Sequence, residues 1–405
     1  MISAPQARRG PAVVAGLTPP PVRLGPDAAR LRAEVRDFLA AERRAGTFEP
    51  RCDSWLAGWD EEFSRRLGAR GWLGMTVPAE HGGHGRSALE RYVVTEEVLA
   101  AGAPVAAHWV ADRQTAPALL RYGSPGLRQR YLPAIARGEC YFAIGLSEPD
   151  VGSDLAATAT RAVRVKGDGE GGGGWELTGT KVWTSGAHRA HAFVVLARSS
   201  PPEGRDRHVG LSQFVVELDA PGVTIRPIRL LTGEHHFNEV VLDRVLVPEE
   251  MVLGRIGEGW RQITAELAFE RSGPERFLST FPLLSALVGY LAGQPEPQRA
   301  GARRELGVLV SRLWTLRRLS LSVAGALDRG EVPEVAAALV KDLGTRLENE
   351  ITDAARLLGG VQPDPAAAGL PGLLADAVLH APGFTLRGGT TEILRGVVAR
   401  ALGMR

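Results

Sequence analysis

The sequence predicts an α+β protein in which helical regions flank a run of strands. Apolar residues recur at helical spacing from about residue 27 to residue 137, short β-branched runs follow to residue 253, and helical spacing returns after Gly259. Helices and strands that are segregated in this way favour α+β over alternating βαβ units, so a classical Rossmann domain is disfavoured. A chain of 405 residues is also expected to divide into two or three subdomains.

The first predicted region is helical and follows a tail. Residues 1–25 are rich in Pro, Ala and Gly, which predicts a flexible tail. An N-terminal α-helical domain is expected over residues 26–138. Its first helix is predicted to have Asp27 as N-cap, because the apolar residues that follow have helical spacing. These residues are Leu31, Val35, Phe38 and Leu39.

A β domain is predicted over residues 139–255 and a second helical domain over residues 256–405. The predicted strands are Tyr141–Leu146, Ala192–Ala197, Phe214–Leu218, Val223–Ile228 and Val240–Val247. The glycine run Gly171–Gly174 lacks a strand-to-helix context, so it is interpreted as a mobile hairpin loop. The predicted C-terminal helices are Trp260–Phe269, Arg303–Leu327, Val335–Leu358 and Thr390–Leu402.

Composition argues against several classes of function. The 48 basic and 46 acidic side chains nearly cancel, which gives no case for nucleic acid or an anionic membrane as a partner. The two cysteines, Cys52 and Cys140, form no metal or redox pattern, and the histidines form none of the usual metal motifs. No stretch approaches a membrane span and no apolar signal segment is evident. We therefore expect a reduced, cytoplasmic protein without a metal site.

Four segments carry a specific resemblance. They are 144–154 (IGLSEPDVGSD), 178–186 (TGTKVWTSG), 267–271 (LAFER) and 388–395 (GGTTEILR). Each resembles a signature segment of the acyl-CoA dehydrogenase family, and they occur in that family's order. The resemblance implies the family's fold: an N-terminal helical domain, a middle β-barrel or sandwich domain, and a C-terminal four-helix bundle.

The resemblance also implies FAD as cofactor. The residues themselves suit a flavin, because they supply hydroxyls, exposed amides, an aromatic wall and a helix N-terminus. Ser185 stands where the family has a Thr that touches the flavin, and Ser153 also approaches the pantetheine of the substrate. The expected FAD-binding residues are Ile144, Leu146, Ser147, Gly152, Ser153, Trp183, Thr184, Ser185, Thr390 and Glu392.

The general base departs from the common family pattern. Many members have a Glu immediately before the Gly-Thr of the fourth segment, where this chain has Gly388. The branch that includes isovaleryl- and long-chain-type enzymes has its base on a C-terminal-domain helix, immediately before an Arg. That position is Glu270 here, and Glu266 is the fallback one turn earlier. By the same resemblance, Arg271, Gly388 and Gly389 join Ser153 in binding substrate.

The resemblance predicts oxidation of the Cα–Cβ bond of an acyl thioester. A desolvated carboxylate would remove the α-proton, and the β-hydride would pass to flavin N5. The carrier is expected to be CoA or an acyl-carrier protein, the electron acceptor an electron-transfer flavoprotein, and the assembly a homodimer or homotetramer. Two alternatives stay open: a flavin monooxygenase or oxidase of the same fold, and a non-catalytic subunit that pairs with an active homologue.

Overall fold

A computed structural model describes Leu17 and residues 19–166, 173–204, 206–331 and 333–404. Within the helix that spans residues 259–270, the side chains of residues 267–270 lie outside this description. The observed order is helices, then one sheet, then helices. This order confirms the predicted α+β class.

The described part of the N-terminal region, from residue 19 onward, contains seven α-helices. They are α1 (Pro26–Arg44), α2 (Ser54–Ala57), α3 (Glu61–Ala69), α4 (Ala88–Ala100), α5 (Ala106–Val110), α6 (Ala116–Tyr122) and α7 (Pro125–Ala136). A π-helical turn over Ala111–Thr115 joins α5 to α6. The predicted N-cap Asp27 is wrong, because the cap is Gly25 and Asp27 lies in the first turn. Pro26 explains the shift, since its fixed φ suits the first helical position.

The apolar stripe predicted for α1 is confirmed. All four of its residues are buried in the core that the N-terminal and C-terminal helices share. Preceding the helix, Val22 and Leu24 pack beside Tyr92 and Leu321. Residues 1–16 and 18 of the predicted tail lie outside the described residues.

Eight strands form one sheet in the middle of the chain. They are β1 (Phe142–Gly145), β2 (Arg161–Val165), β3 (Gly174–Lys181), β4 (Ala192–Arg198), β5 (Leu211–Glu217), β6 (Val223–Arg229), β7 (His235–Pro248) and β8 (Val252–Leu253). The order is β6-β7-β3-β2-β4-β5-β8, and β1 pairs with β4 in parallel. The antiparallel pair β2–β3 flanks the predicted loop Gly171–Gly174, of which residues 171 and 172 lie outside the described residues and Gly174 begins β3.

Strands were predicted best where apolar residues run together. β1, β4, β5, β6 and β7 each contain or overlap a predicted strand. β2 was not predicted, because two of the five residues of Arg161–Val165 are arginine and three of the five are exposed. It forms through its neighbours, since Ala162 pairs with Leu177 of β3 and is itself buried.

The C-terminal region contains six helices. They are α8 (Gly259–Glu270), α9 (Phe281–Ala292), α10 (Glu296–Asp328), α11 (Glu334–Gly359), α12 (Leu370–Phe384) and α13 (Thr391–Ala401). Helix α11 packs against α9, α10, α12 and α13 and is therefore the centre of this region. The sequence did not single out α9 and α12, whose prolines and glycines obscure the helical spacing. Among the described residues, no helix is both long and apolar enough to cross a membrane.

Candidate active site

The first two signature segments lie side by side. Segment 144–154 begins on β1, and segment 178–186 continues from β3. The Val182 amide donates a hydrogen bond of 2.9 Å to the Ser147 carbonyl. The Lys181 ammonium donates to the Leu146 carbonyl at 3.2 Å and to the Glu148 carboxylate at 2.8 Å. These hydrogen bonds join the two segments, which lie about 30 residues apart in the chain, into one structural unit.

Glu148 and Lys181 form a buried ion pair in this unit. Glu148 also accepts the amides of Ala159 and Thr160 at 2.8 and 2.9 Å. Burial raises the pKa of the Glu148 carboxyl, but Lys181 and these hydrogen bonds outweigh burial, so the net shift is downward. Burial lowers the pKa of Lys181 to about 8, although Glu148 opposes that shift. The pair fixes the loop that presents Gly152 and Ser153, both of which are exposed.

Segment 178–186 presents an aromatic ring and a buried hydroxyl. Trp183 has φ 58° and is 57% exposed, with its ring edge-on to Phe237 at 5.8 Å. Thr184 is fully buried, and its backbone exchanges hydrogen bonds with Asn238 at 3.0 and 2.9 Å. Its Oγ1 has no hydrogen-bond partner among the described residues. A buried hydroxyl without a partner is costly unless a ligand or water completes it.

These features fit the predicted flavin site. Thr184 Oγ1 is an unpaired polar atom in the predicted segment, and its neighbour Ser185 is half-buried. A Cβ placed on Gly152 would meet nothing within 4 Å, so the backbone there is open to a ligand. An aromatic ring, an unpaired hydroxyl and an accessible backbone are groups that can bind a flavin and its pyrophosphate.

The fourth segment begins with two glycines in the left-handed region. Gly388 has φ 68° and Gly389 has φ 98°. Thr390 then caps α13, and its Oγ1 accepts the Ile393 amide at 3.5 Å. Glu392 is exposed in the first turn, where its own amide and Thr390 hold the pKa of its carboxyl below the ordinary value. The turn therefore presents backbone amides at a helix N-terminus.

The third and fourth segments meet at this turn. Helix α8 ends at Glu270, and the next residue, Arg271, donates from Nε to the Gly388 carbonyl at 3.1 Å. Lys341 donates to the Gly389 carbonyl at 2.7 Å. The Glu270 side chain itself lies outside the described residues. The end of α8, which carries the predicted base, therefore lies next to Gly388. Many family members carry their base at the position of Gly388.

The start of α8 joins the first segment to the third. Leu146 and Leu155 pack with Trp260 and Ile263 around a small apolar cluster. Further along α8, the fallback base Glu266 is half-buried and accepts a hydrogen bond from Gln213 of β5 at 3.4 Å. Helix α8 therefore lies along the sheet and leads from the first segment to the glycine turn.

A buried histidine, His236, contacts the end of the second segment. The His236 carbonyl accepts the Gly186 amide at 2.9 Å. Burial lowers the pKa of His236 to about 3, and the charges of Asp53, His380 and Arg387 are close enough to contribute. Arg387 directly precedes Gly388 and pairs with the N-terminal residue Asp53 through two hydrogen bonds of 2.6 Å.

Several residues of the site were not predicted from the sequence. Asp53, Arg387 and Lys341 are not among the residues predicted from the sequence, although Arg387 and Lys341 adjoin the glycine turn and Asp53 pairs with Arg387. The lysines could have been singled out from the sequence, because the chain has only three of them. Two of them, Lys181 and Lys341, are fully buried. A rare, buried lysine in an arginine-rich chain marks a specific ionic role.

Two predictions concern the histidines and cysteines: that no metal site is present and that the cysteines are reduced. His188 and His235 stack at 3.7 Å, and both contact Asn238. Within the described ranges, no three His, Cys, Asp or Glu side chains are grouped to hold a metal. Cys52 and Cys140 are both buried and free.

Comparisons with known proteins identify the class. Profiles described as acyl-CoA dehydrogenase N-terminal, middle and C-terminal domains match residues 25–139, 143–245 and 257–403. The chain belongs to the acyl-CoA dehydrogenase family. It is therefore a flavin-dependent oxidoreductase of the class that uses FAD, which confirms the predicted family, fold and cofactor.

Individual relatives come largely from mycobacteria. The chain is 34% identical to the acyl-CoA dehydrogenase IpdE1 of Mycobacterium tuberculosis over 93% of its length and 98% of that protein. It is also 34% identical to FadE34 of the same organism, over 85% of this chain but only 46% of FadE34. Among solved structures, the Tcur3481-Tcur3483 steroid ACAD is 30% identical, with a TM-score of 0.79 and coverage of 95% and 99%. The ChsE4-ChsE5 complex of M. tuberculosis is 27% identical, with a TM-score of 0.77 and the same coverage.

Proposed function

We propose that this chain oxidises the Cα–Cβ bond of an acyl thioester, with Glu270 as the base that removes the α-proton. The observation that carries the proposal is the contact between Arg271 and the Gly388 carbonyl. This contact brings the end of α8 next to the glycine turn, which lacks the carboxylate that many family members have there. Glycine has no side chain to accept a proton, so a neighbouring carboxylate is required.

The glycine turn would hold the thioester carbonyl. In a trans peptide the C=O and the next N–H point in opposite directions. Because the Gly388 carbonyl faces Arg271, the Gly389 amide faces away from that cation. An amide aimed in that direction can stabilise the negative charge that develops on the thioester oxygen as the α-proton leaves. Gly388 and Gly389 are therefore proposed as substrate-binding residues, together with Arg271 and Ser153.

FAD, when bound, supplies the acceptor for the β-hydride. The residues proposed to hold it are those predicted from the sequence. On the first segment they are Ile144, Leu146, Ser147, Gly152 and Ser153, on the second Trp183, Thr184 and Ser185, and on the fourth Thr390 and Glu392. The unpartnered Thr184 Oγ1 supports this assignment most directly.

The comparisons favour the dehydrogenase over both alternatives, because the relatives are named acyl-CoA dehydrogenases. We propose CoA as the carrier and an electron-transfer flavoprotein as the acceptor, both by family resemblance. The names of two similar structures, the Tcur3481-Tcur3483 steroid ACAD and the ChsE4-ChsE5 complex, each join two components. The purified assembly should therefore be checked for a second, different chain.

Anaerobic titration of the purified flavoprotein tests the proposal. The panel would contain butyryl-, isovaleryl-, octanoyl-, palmitoyl- and cyclohexanecarbonyl-CoA and a CoA thioester of a steroid side chain. We expect one structural class to bleach the oxidised flavin. Bound flavin that no member bleaches would contradict the proposed CoA substrate, and protein that holds no FAD when purified alone would indicate a requirement for a second chain.

A further inference from the structure

Arg387 is the residue immediately before the glycine turn, and its two Nη atoms are paired with a carboxylate. Its Nη1 and Nη2 donate to the two carboxylate oxygens of Asp53, each at 2.6 Å. The guanidinium also lies over the rings of Trp55 at 4.5 Å and Phe384 at 5.2 Å. A two-pronged pair between an arginine and a carboxylate fixes orientation as well as distance.

Asp53 comes from the opposite end of the chain and is itself held rigidly. Its side chain is fully buried, its φ is 56°, and its amide donates to the Ser279 carbonyl at 2.8 Å. His380 Nδ1 lies 3.3 Å from the same carboxylate. Burial raises the pKa of Asp53, but Arg387 and His380 outweigh burial and hold it well below the ordinary value. Asp53 is therefore a fixed anion between the N-terminal helices and α12.

The pair completes the support of the turn from three directions. Arg271 holds the Gly388 carbonyl from α8, and Lys341 holds the Gly389 carbonyl from α11. Asp53 holds Arg387 from the N-terminal region. Two consecutive residues at positive φ have wide backbone freedom when both are glycine. The Asp53–Arg387 pair therefore anchors the residue that leads into the turn.

We propose that Asp53 is a positioning residue that acts through Arg387 to set the geometry of the Gly388-Gly389 turn. The inference rests on the proposed function, in which this turn holds the thioester carbonyl. It makes the N-terminal region part of the reaction's machinery although Asp53 touches no reacting atom. Small displacements of a group that binds the transition state reduce rate more than they reduce ground-state binding.

The first test is hydrogen exchange of the holoprotein, which needs no substrate. The amides of Leu386 and Arg387 donate to the Gly383 carbonyl at 3.2 and 3.3 Å, so they report directly on the turn. In Asp53→Asn we expect their exchange to rise at least about tenfold. Unchanged exchange in the peptide that covers residues 385–391 would overturn the proposal.

The matched control is Asp376→Asn. Asp376 lies on the same helix as His380 and pairs with Arg51 at 3.3 Å, two residues from Asp53. This variant weakens the docking of the same N-terminal segment on α12 but leaves the Arg387 pair in place. We expect wild-type exchange over residues 385–391. An equal rise in both variants would show that general docking, and not the Asp53–Arg387 pair, orders the turn.

The second test separates rate from binding. The probe is the panel acyl-CoA that reduces the wild-type flavin fastest, mixed with each protein in an anaerobic stopped-flow instrument. In Asp53→Asn we expect the limiting rate of flavin reduction to fall at least about tenfold, with FAD content unchanged and the acyl-CoA Kd within about threefold. A wild-type limiting rate would overturn the proposal.

A paired substitution guards against misfolding, because Asp53→Asn alone leaves Arg387 buried and uncompensated. Asp53→Asn/Arg387→Gln removes both charges and should recover thermal stability and FAD content. We expect its reduction rate to stay low, whereas a rate restored with stability would show a merely structural role. If no thioester reduces the wild-type flavin, the proposed function fails, and the exchange measurement still decides whether Asp53 orders the turn.

Discussion

At the scale of single residues, the strongest sign of a ligand is Thr184. Its side chain is fully buried, yet its Oγ1 has no partner among the described residues. Its backbone N–H and C=O, by contrast, are both paired with Asn238. Burying an unpaired hydroxyl costs stability, and a hydrogen bond to a bound flavin would remove that cost.

Substituting Thr184→Val should separate cofactor binding from stability. Valine keeps the shape and removes the hydroxyl, so the apoprotein should melt at the same temperature or higher. The FAD Kd should rise about three- to tenfold through loss of one hydrogen bond. Fluorescence titration with FAD and thermal melting of the apoprotein measure the two effects.

Thr280→Val is the matched control, because Thr280 Oγ1 is also buried without a partner but belongs to none of the predicted cofactor residues. It should leave the FAD Kd unchanged. A lower melting temperature of Thr184→Val without any change in FAD affinity would argue that the hydroxyl is structural.

At the scale of elements, helix α11 has a buried acid facing the 272–280 segment. Glu348 is fully buried and accepts the Ser279 amide at 2.9 Å. Burial raises its pKa to about 7, although Arg387 and Ser279 oppose the shift. The folded protein therefore binds one more proton than the unfolded chain between the ordinary carboxyl pKa and about 7. Stability from this group is present at low pH and is lost as pH rises through that window.

Replacing Glu348→Gln should remove this pH dependence. We expect the free energy of unfolding of the wild type, relative to the variant, to fall by about 2 kcal/mol between roughly pH 5.5 and 7.5. Urea titrations of both apoproteins at the two pH values measure it. Glu350→Gln, an exposed acid on the same helix that pairs with Arg312, should show no such change. A constant difference between wild type and Glu348→Gln would contradict the raised pKa.

Elements also show how far sequence reasoning extends. The four signature segments were found because their chemistry is local, with small residues, hydroxyls and caps in consecutive positions. Asp53 and Arg387 are separated by 334 positions, and no local pattern marks either as a partner of the other. Helix α12 was missed because Pro371 and Pro382 disturb its spacing, although its buried face packs normally against α11. Long-range pairing is a property of the folded chain that a single sequence does not display.

At the scale of the whole molecule, the three regions meet around the site. One core joins the N-terminal helices to the C-terminal helices, and a second joins α7 to the sheet. Helix α8 packs on β5, so the helix that carries the proposed base is held by the middle region as well. All three regions therefore contribute residues to the proposed site or to the contacts that support it.

We expect the protein to self-associate through its C-terminal helices. Trp314 on α10 is 57% exposed and Leu357 on α11 is 83% exposed, which is unfavourable for large apolar side chains in water. Trp314→Glu should shift sedimentation velocity profiles toward a smaller species. Leu246→Glu, on the exposed face of β7, should not. Identical profiles for wild type and Trp314→Glu would exclude this face as the interface.

The central claim is that Glu270 replaces the carboxylate absent at Gly388. Its most direct test is anaerobic stopped-flow reduction of the flavin in Glu270→Gln, with the acyl-CoA that the wild type oxidises fastest. We expect the rate to fall at least about 100-fold with FAD still bound, because general-base catalysis contributes factors of that order. Glu266→Gln, one turn earlier on α8, should reduce at a rate close to wild type. Rapid bleaching in Glu270→Gln, or loss of bleaching only in Glu266→Gln, would contradict the account.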